Sequence, residues 1–480
     1  MKLQKLLSSV DVISIKGSVI FDINSIEIDS KNITKNSLYI CLKGERCDGH
    51  DFISEAEKYG AVAIICEKET NTKLTQIIVS DSRKALAIVS KNFYEGACDN
   101  LKIVGVTGTN GKTSTTHFIR KILVESGVKC GVIGTLGAFY DDVKIDTSLT
   151  TPDPIQLHEI FYKMWKANVE VVVMEVSAHA LYYDKLYGVN FEIGVLTNFT
   201  QDHLDFFGTM ENYENAKNKF FQEFNFKYAV INADDNMGIK ILNSGIKSIS
   251  FGLYNPSDVF AIDVICNKNG SKFVLNLFDC IFDVELKSIG EFNVYNAMCS
   301  ACVCALLGVD TVLIGGKLNG LTPINGRMEE IFNKNFSIFV DYAHTPDGLK
   351  KALTALKCDC KGRLICLFGC GGNRDVEKRK IMGEISGDIA DFTIITSDNP
   401  RFEEPMSIIN QIELGVIESG GKYVIIERRN DAIEYAINIA KDKDVILIAG
   451  KGNENYQEIL GIKHYFNDKD TVKNLIGEII

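Results

Sequence analysis

Residues 101–119, LKIVGVTGTNGKTSTTHFI, decide how the rest of the chain is organised. The apolar run IVGV at 103–106 predicts a buried strand of a parallel sheet. A loop with two glycines follows, and then Lys112 and Thr113 open a polar helix. A strand, a glycine loop, Gly-Lys-Thr and a helix in this order are the elements of a phosphate-binding loop.

The residue types in this loop suit a nucleoside triphosphate. Gly108 and Gly111 let backbone N–H groups approach phosphate oxygens, and the helix N-terminus adds partial positive charge. Lys112 can reach the β- and γ-phosphates, while the Thr113 hydroxyl can bind Mg²⁺. Val106 stands at the first glycine position of the general G-x-x-x-x-G-K-[ST] pattern, so an ordinary glycine-rich turn is the alternative. We predict that a nucleotide contacts the loop residues Gly108, Thr109, Asn110, Gly111, Lys112, Thr113 and Ser114.

The bulk composition limits the classes of protein that fit. The 480 residues suggest about three domains. The 52 basic and 63 acidic residues give a net charge of −11, which disfavours binding to nucleic acids and anionic membranes. Residues 1–18 predict an amphipathic helix and not a signal peptide. The best membrane candidate, residues 298–309, has about half of the ~20 apolar residues that a membrane helix needs.

The cysteines favour a reducing compartment. Fourteen cysteines without an export signal indicate a cytoplasmic protein and not a disulfide framework. Cys299 and Cys302 form a C-x-x-C pattern, with Cys304 shortly after it, among Ala, Val and Leu. In such surroundings cysteine packs as a small hydrophobic residue, and no second ligand pair stands at zinc spacing. We therefore predict a core helix at this position.

Strand and helix patterns alternate along the whole chain, which predicts an α/β protein. We predict three domains, residues 1–98, 99–325 and 326–480. The middle domain has the pattern of a doubly wound sheet, and ligands bind such sheets at the carboxyl ends of the strands. Glu175 and His203 stand in polar segments that follow predicted strands. Each could bind a metal ion, but Glu175 could also be a cap or ion-pair partner and His203 a structural histidine.

A glycine cluster in the third domain matches a dinucleotide-binding loop only in part. The segment GCGG at 369–372 begins the pattern, but Arg374 occupies the position of its last glycine. We therefore predict an anion or substrate turn and no NAD site.

Ten short motifs occur in the order in which the Mur ligases carry them. They are GVTGTNGKT, LTTPDP, MEVSAHAL, TNFTQDHLDFFGTMENYENAK, EFNVYNA, GRME, DYAHTPD, GCGGNRDVEKR, SDNPR and GKGNE. The chain resembles this family over essentially its whole length, and most of all the members that add the third residue of the peptidoglycan stem peptide. The resemblance implies a small α/β N-terminal UDP-binding domain, a central doubly wound P-loop ATPase domain and a Rossmann-like C-terminal domain.

The resemblance also implies a reaction. ATP phosphorylates a D-glutamyl side-chain carboxylate, and an amine then attacks the acyl phosphate to form an amide. It implies catalytic roles for Lys112, Glu175, His203 and Lys217, and two Mg²⁺ ions bound through Thr113, Glu175, His203 and Lys217. The family carbamylates the lysine that matches Lys217, which turns a cation that would repel Mg²⁺ into an oxygen donor. The alternative for Lys217 is an exposed helical lysine.

Further contacts follow from the resemblance by position. The UDP-sugar peptide would contact Ser30, Thr150, Thr151, Ser177 and Lys185. The adenine would meet Asn293 and Asn296, and the third domain would bring Arg327, Asp341, His344, Lys378 and Arg379 to ATP. The family often has arginine at the position of Lys185, so a forked carboxylate contact would become a point-charge contact.

The resemblance places the choice of amino acid on the loop DNPR at 398–401. Meso-2,6-diaminopimelate resembles lysine with an extra carboxylate at its far end, and Arg401 offers that carboxylate a planar guanidinium fork. Lysine-adding relatives usually lack this arginine. The matching contacts are Arg374, Asp398, Asn399, Arg401, Gly450 and Glu454, of which Glu454 suits an ammonium group. Asn453 departs from the histidine that is usual in GKGHE.

Three other functions remain open at this stage. A lysine-adding Mur ligase would share most of the motifs. A folylpolyglutamate synthetase-like ligase shares the phosphate loop and the modified lysine, but lacks the N-terminal domain and the DNPR and GKGxE loops. A nucleotide-dependent switch protein would need only the phosphate loop. We expect a monomer that acts on UDP-N-acetylmuramoyl-L-Ala-D-Glu and meso-diaminopimelate and has no nucleic-acid or membrane partner.

Overall fold

The computed structural model describes the backbone of residues 1–44 and 47–479, and the chain forms two compact units. The first unit consists of Met1–Thr107, Gly127–Gly194 and Ala216–Tyr228. The second consists of Gly108–Ser126, Val195–Asn215 and Ala229–Ile480. In the described part of the chain, none of the helices has the length and apolar composition needed to cross a membrane.

The N-terminal part of the first unit is a five-stranded sheet with short helices. Its strands are β1 (Val12–Lys16), β2 (Ser25–Glu27), β3 (Ser37–Ile40), β4 (Ala61–Cys66) and β5 (Thr75–Val79), in the order β1-β5-β4-β3-β2. The helices are α1 (Leu3–Leu6), α2 (Ile53–Tyr59) and α3 (Ser82–Phe93). The prediction of one N-terminal amphipathic helix is wrong beyond α1, because the β-branched residues of β1 pair antiparallel with β5.

The first unit also carries the strands that precede the phosphate loop and Glu175. These strands are β6 (Lys102–Thr107), β7 (Cys130–Gly134), β8 (Gly137–Tyr140), β9 (Val143–Ile145) and β10 (Val171–Glu175), in the order β6-β10-β7-β8-β9. β10 is parallel to both β6 and β7, and Val106 of β6 pairs with Glu175. The helices of this part are α5 (Pro154–Lys166), α6 (Ala178–Tyr182) and most of α8 (Met210–Glu223), whereas α4 (Lys112–Glu125) and α7 (Leu204–Phe207) belong to the second unit.

In the second unit, a parallel stretch of sheet continues into an antiparallel meander. After β11 (Ile193–Leu196) come β12 (Tyr228–Asn232), β13 (Ser248–Gly252), β14 (Val259–Asn267), β15 (Gly270–Leu277) and β16 (Cys280–Leu286). β12, β13 and β14 are parallel neighbours, whereas β14, β15 and β16 pair antiparallel. The helices are α9 (Asn236–Leu242), α10 (Glu291–Leu306) and α11 (Thr311–Leu318). The strand–helix pattern did not predict the meander, which departs from a purely doubly wound sheet.

The three cysteines near 300 are core residues, as predicted. Cys299, Cys302 and Cys304 lie on α10 and are at most 1% exposed. Burial raises the pKa of the Cys302 thiol well above its ordinary value, so the thiol stays neutral.

The last part of the second unit is a Rossmann-like layer structure. Its strands are β17 (Glu329–Asn333), β18 (Ser337–Asp341), β19 (Leu364–Phe368), β20 (Phe392–Ile395), β21 (Tyr423–Ile425) and β22 (Val445–Ala449), in the order β17-β18-β22-β19-β20-β21. Only β17 pairs antiparallel. A separate hairpin consists of β23 (Tyr456–Ile459) and β24 (Ile462–Tyr465). The helices are α12 (Pro346–Lys357), α13 (Glu377–Ile389), α14 (Pro405–Glu418), α15 (Arg429–Ile439) and α16 (Asp468–Ile479).

Both faces of the six-stranded sheet are covered by helices. Cys366 of β19 packs in a core with α12, α13 and α14, and the next residue, Leu367, packs in a second core with α15 and α16. Successive side chains of a strand point to opposite faces, so each strand serves both cores. This packing fixes the strand ends from which the third-domain loops emerge.

Candidate active site

The phosphate loop is held in shape by two residues that follow β11. Asn198 accepts the N–H of Asn110 through Oδ1 at 2.9 Å and donates Nδ2 to the Asn110 carbonyl at 3.0 Å. The Thr197 hydroxyl donates to the same carbonyl at 2.7 Å. Gly108 and Gly111 have φ of +146° and +86°, and a Cβ at Gly108 would collide with Thr197. The loop therefore needs glycine at these positions.

Lys112 and Thr113 lie in the first turn of α4, as the sequence predicts. Lys112 Nζ donates to the carbonyl oxygens of Gly108 at 2.8 Å and Thr109 at 2.9 Å. Thr113 is 4% exposed, and its Oγ1 accepts a hydrogen bond from Arg327 Nη2 at 3.1 Å. Two cationic side chains therefore converge on the loop, which suits the phosphates of a nucleotide. Ser114, the last of the predicted loop residues, is buried next to them.

Residues of the predicted third domain reach the same loop within the second unit. Asn110 Nδ2 donates to Asp347 Oδ2 at 2.9 Å. Asp202 Oδ2 lies 3.3 Å from His203 Nε2 and 3.7 Å from His344 Nε2. Burial alone would raise the pKa of Asp202, but the hydrogen bond from His344 and the charges of both histidines lower it well below its ordinary value. The motifs TGTNGKT, QDHLD and DYAHTPD therefore meet in one place.

The two asparagines predicted to meet adenine lie next to the loop. Asn293 and Asn296 are buried in the first turns of α10, and Asn296 Nδ2 donates to Asn293 Oδ1 at 3.1 Å. Asn296 Oδ1 accepts the hydroxyl of Thr115 on α4 at 3.2 Å. A Cβ on Gly111 would lie 2.6 Å from the same oxygen. The position agrees with a nucleotide site, and the contact with adenine stays a prediction.

Arg327 and Asp341 have different roles in the structure. The Asp341 carboxylate accepts the backbone N–H groups of Met328 at 2.6 Å and Ala343 at 2.7 Å, and burial raises the pKa of Asp341. The Arg327 guanidinium lies 4.2 Å from the ring centre of Tyr342. Asp341 therefore fixes the backbone at Met328 and at Ala343, whereas Arg327 is the group that reaches the phosphate loop.

Lys378 and Arg379 are neighbours in the sequence but differ in their hydrogen-bond partners. Lys378 is 6% exposed and has no hydrogen-bond or ion-pair partner among the described residues. Arg379 is fully buried and donates Nη1 to Glu403 Oε2 at 2.8 Å and Nη2 to Glu403 Oε1 at 2.9 Å. Arg379 also donates to Gln411 Oε1 at 2.9 Å and the Gly371 carbonyl at 3.3 Å. Lys378 is therefore available to an anion, and the predicted contact of Arg379 with ATP would have to replace these bonds.

In the first unit, Glu175 is the centre of a hydrogen-bonded group at the end of β10. Thr135 donates its N–H to Glu175 Oε1 at 2.9 Å and its hydroxyl to Oε2 at 3.1 Å. Thr151 donates its hydroxyl to the Glu175 carbonyl at 2.8 Å and accepts the N–H of Ser177 at 3.0 Å. The Thr150 hydroxyl lies 3.1 Å from that of Thr135. One predicted metal ligand and three predicted substrate contacts are therefore together.

Three other predicted residues of the first unit have separate surroundings. Lys185 Nζ pairs with Asp153 Oδ1 at 2.7 Å. Ser30 is buried and donates its hydroxyl to Glu55 Oε2 at 2.6 Å. Lys217, on α8, is only 1% exposed. The alternative of an exposed helical lysine is therefore wrong for Lys217.

The DNPR and GKGNE loops meet in the second unit. Asn399 Nδ2 donates to Glu454 Oε2 at 3.0 Å. Gly450 has φ of +108°, and a Cβ there would lie 2.8 Å from Asp398 Oδ2. Arg374 is 48% exposed, and its Nη1 lies 3.6 Å from Asp205 Oδ2. The structure thus brings four of the predicted amino-acid contacts together and places Arg374 beside the QDHLD segment.

Arg401 has a left-handed backbone conformation, and only part of its guanidinium has contacts within the protein. Its φ is +53°, and its N–H donates to the Glu458 carbonyl at 3.0 Å. Arg401 Nη1 donates to the Gly372 carbonyl at 2.7 Å, and Nε lies 3.3 Å from Glu458 Oε2. Nη2 has no hydrogen-bond partner among the described residues. One corner of the guanidinium is therefore left for a ligand.

The predicted site did not include the residues that orient its members. Thr197, Asp202, Asp347 and Lys451 stand inside the quoted motifs, so their position was a usable signal, whereas nothing in the sequence pointed to Glu458. Their partners are far away in the sequence, as in the bond from Thr197 to Asn110. Only the folded chain shows which partner each of them has.

Three family models match the chain. The model for the Mur ligase family, catalytic domain, matches residues 22–103, that for the Mur ligase middle domain matches residues 106–304, and that for the Mur ligase, glutamate ligase domain, matches residues 326–452. These matches confirm the predicted fold of three α/β domains, while the boundaries at 98 and 325 stay predictions.

Known proteins resemble the chain along its full length. UDP-N-acetylmuramoyl-L-alanyl-D-glutamate--2,6-diaminopimelate ligase 1 of Clostridium acetobutylicum is 42% identical over 486 residues, which cover 100% of both chains. A solved UDP-N-acetylmuramoyl-L-alanyl-D-glutamate--2,6-diaminopimelate ligase is 32% identical with a TM-score of 0.71 and covers 100% of this chain and 99% of its own. MurF ligase from Thermotoga maritima in complex with ADP, 21% identical with a TM-score of 0.63 and coverage of 95% and 97%, shares the fold. The chain belongs to the Mur ligase family.

Proposed function

We propose that this protein uses ATP to join meso-2,6-diaminopimelate to the D-glutamyl side-chain carboxylate of UDP-N-acetylmuramoyl-L-Ala-D-Glu in peptidoglycan synthesis. The observation that carries the proposal is the arrangement of Arg401, Asn399 and Glu454 in the same compact unit as the phosphate loop. Full-length relatives that are ligases for 2,6-diaminopimelate support it.

The charges of the amino-acid loops favour diaminopimelate over lysine. The Arg401 guanidinium suits the distal carboxylate, which lysine lacks, and it would repel the ε-ammonium of lysine. The Glu454 carboxylate suits an ammonium group. A substrate with both a carboxylate and an ammonium at its far end fits this pair.

The proposed reaction has two steps. A carboxylate oxygen of D-glutamate attacks the γ-phosphorus of ATP, the bond to ADP breaks, and an acyl phosphate forms. The amine nitrogen of diaminopimelate then attacks the acyl carbon, phosphate leaves with the electron pair of the C–O bond, and the amine loses a proton. Lys112, Arg327 and Lys378 would hold the phosphate oxygens and stabilise their charge, since such catalysis rests on positioning and electrostatics.

The donor atoms fit Mg²⁺, which we propose binds at two sites. Thr113 and Glu175 offer oxygen ligands, which Mg²⁺ prefers, whereas His203 offers a less preferred nitrogen. Among the described residues, no three His, Cys, Asp or Glu side chains gather as a metal site. Mg²⁺ commonly completes its coordination with water and substrate phosphates. Bound Mg²⁺ would neutralise negative charge on those phosphates.

We also propose that Lys217 is carbamylated. The proposal follows the resemblance of the segment that contains Lys217 to the family, and Lys217 is 1% exposed. A carbamate would be anionic and would offer oxygen atoms to Mg²⁺.

We place the reaction in the cytoplasm, where ATP is available. All fourteen cysteines are free, which agrees with a reducing compartment.

An assay of phosphate release tests the proposal. Purified protein receives Mg²⁺-ATP, UDP-N-acetylmuramoyl-L-Ala-D-Glu and one amino acid of a panel. We expect release only with the UDP-dipeptide and meso-diaminopimelate together. Equal activity with L-lysine would show a lysine-adding ligase. Release with a folate and glutamate would show a folylpolyglutamate synthetase, and nucleotide binding without amide formation would show a switch protein.

A further inference from the structure

Lys451, the second residue of GKGNE, has a completely buried side chain. Burial of an ammonium group is costly unless polar groups compensate for it. Lys451 Nζ donates to Glu454 Oε2 at 3.0 Å and to Asn399 Oδ1 at 3.1 Å, and it lies 5.6 Å from the ring centre of Tyr456. The buried cation is therefore compensated by two residues of the predicted amino-acid site.

The same contacts determine which way the Asn399 amide points. Asn399 Oδ1 accepts from Lys451 Nζ and from the N–H of Glu458 at 3.0 Å. Asn399 Nδ2 consequently faces Glu454 Oε2, to which it donates at 3.0 Å. A flipped amide would place its donor against two other donors. Lys451 therefore orients both Asn399 and Glu454.

Glu454 is held by only one of its two carboxylate oxygens. Oε2 accepts from Lys451 and Asn399, while Oε1 has no hydrogen bond from any residue that the structure describes. The side chain is 21% exposed. An anchored oxygen beside an open one presents a fixed acceptor to an incoming ammonium group.

The other titratable groups whose charges reach Glu454 do not replace Lys451. Tyr342 and Tyr456 carry no charge near pH 7, and burial raises the pKa of both phenols further above that pH. Arg429 also acts on this carboxylate through its charge, but its guanidinium is hydrogen bonded to Asp468 at 2.7 and 2.8 Å. Lys451 is therefore the cation that touches Glu454.

We propose that Lys451 is a positioning residue that orients Glu454 for the ammonium group of the amino-acid substrate. The identity of the substrate rests on the proposed function. The coupling between Lys451 and Glu454 does not, since it would serve whichever amino acid the loop accepts.

The test compares the substitutions Lys451→Met, Lys451→Gln and Glu454→Gln, and the Lys451→Met/Glu454→Gln pair, in the full-length protein. Lys463→Met is the matched control, because Lys463 Nζ lies 4.3 Å from the same Tyr456 ring and has no hydrogen bond to Glu454. We expect Lys451→Met to raise the KM for meso-diaminopimelate about tenfold or more, as expected for a lost charged hydrogen bond. The KM values for ATP and the UDP-dipeptide and the behaviour of Lys463→Met should stay near wild type.

A further readout separates positioning from a purely structural role. Lys451→Met should add little to the loss already caused by Glu454→Gln, because both act on one contact. Additive losses, or equal increases in all three KM values, would overturn the proposal.

Lys451→Gln keeps the test decisive if Lys451→Met does not fold. Glutamine retains hydrogen-bond donors but is shorter and uncharged, so it should also raise the KM for the amino acid selectively, and unchanged KM values would overturn the proposal. The wild-type amino-acid panel tests the proposed function separately. If the panel selects another amino acid, the same variants measured with that amino acid still decide the role of Lys451.

Discussion

Replacement of Arg401 by alanine should weaken the use of meso-diaminopimelate selectively. The Arg401 guanidinium is fixed by Gly372 through Nη1 and by Glu458 through Nε, while Nη2 has no partner among the described residues. The side chain is 19% exposed, so a substrate carboxylate could reach it in a partly desolvated place. The variant removes that contact and leaves the phosphate loop unchanged.

The expected magnitude follows from the number of contacts. One charge-assisted hydrogen bond is worth about 1.5–3 kcal/mol, which corresponds to a loss of roughly 10- to 150-fold in kcat/KM. The backbone adds a second effect, because Arg401 has φ of +53°. A residue with a Cβ holds this conformation at a cost of about 1 kcal/mol, which glycine avoids. Arg401→Gly should therefore lose as much activity as Arg401→Ala, but it should unfold at a higher denaturant concentration than Arg401→Ala does.

The assay measures kcat/KM for meso-diaminopimelate, L-lysine and ATP with wild type, Arg401→Ala and Arg401→Gly. Both variants should lower the preference for meso-diaminopimelate over L-lysine, with KM for ATP near wild type. An unchanged preference would refute the role of Arg401 in carboxylate recognition. An equal loss with all substrates would show instead that the substitution disturbs the fold.

Four other outcomes are expected. Lys217→Ala should lose activity and recover part of it with short carboxylates such as acetate, which substitute for a carbamate. Lys219→Ala, which breaks a partly buried ion pair with Asp184, should stay active and show no such rescue. Lys378→Met should raise the KM for ATP about tenfold through loss of a charged contact, and an unchanged KM would remove Lys378 from the nucleotide site. The hydrogen bonds from Arg379 hold the pKa of Glu403 below its ordinary value. The ionised carboxylate therefore stabilises the folded protein at pH values above its unfolded pKa of about 4.3, and this stabilisation is lost as the pH falls. In urea unfolding, Glu403→Gln should lower the free energy of unfolding at pH 7 and change it little at pH 3. Removal of divalent cations with EDTA should abolish phosphate release and added Mg²⁺ should restore it, whereas activity in EDTA would contradict the proposed metal sites.

Local rules explain why much of the fold could be predicted. The apolar run of β6, the glycines of the loop and the polar start of α4 act over a few residues, so residues 101–119 fold as their sequence predicts. The N-terminal β1 shows the limit of such rules. Its residues fit a helical face, but pairing with β5 overrides that preference.

The order of the motifs predicted more of the site residues than local sequence patterns could. Glu175 groups with Thr151 and Ser177, and Asn399 with Glu454. Of these residues, only Glu175 was also proposed from its place at the end of a predicted strand. The motif did not reveal what Arg379 binds. A cation in a motif looks the same whether it faces a phosphate or, as here, Glu403.

The sequence by itself determined the three α/β domains, the phosphate loop and the family to which the chain belongs, because repeated local patterns and ordered motifs encode them. Three features became visible only in the tertiary structure. They are the meander of β14 to β16, the burial of Lys217, and the hydrogen bonds of Lys451 to Asn399 and Glu454. The physical reason is that burial and hydrogen bonding join residues far apart in the sequence, and the cost of an uncompensated charge depends on those neighbours rather than on the residue itself.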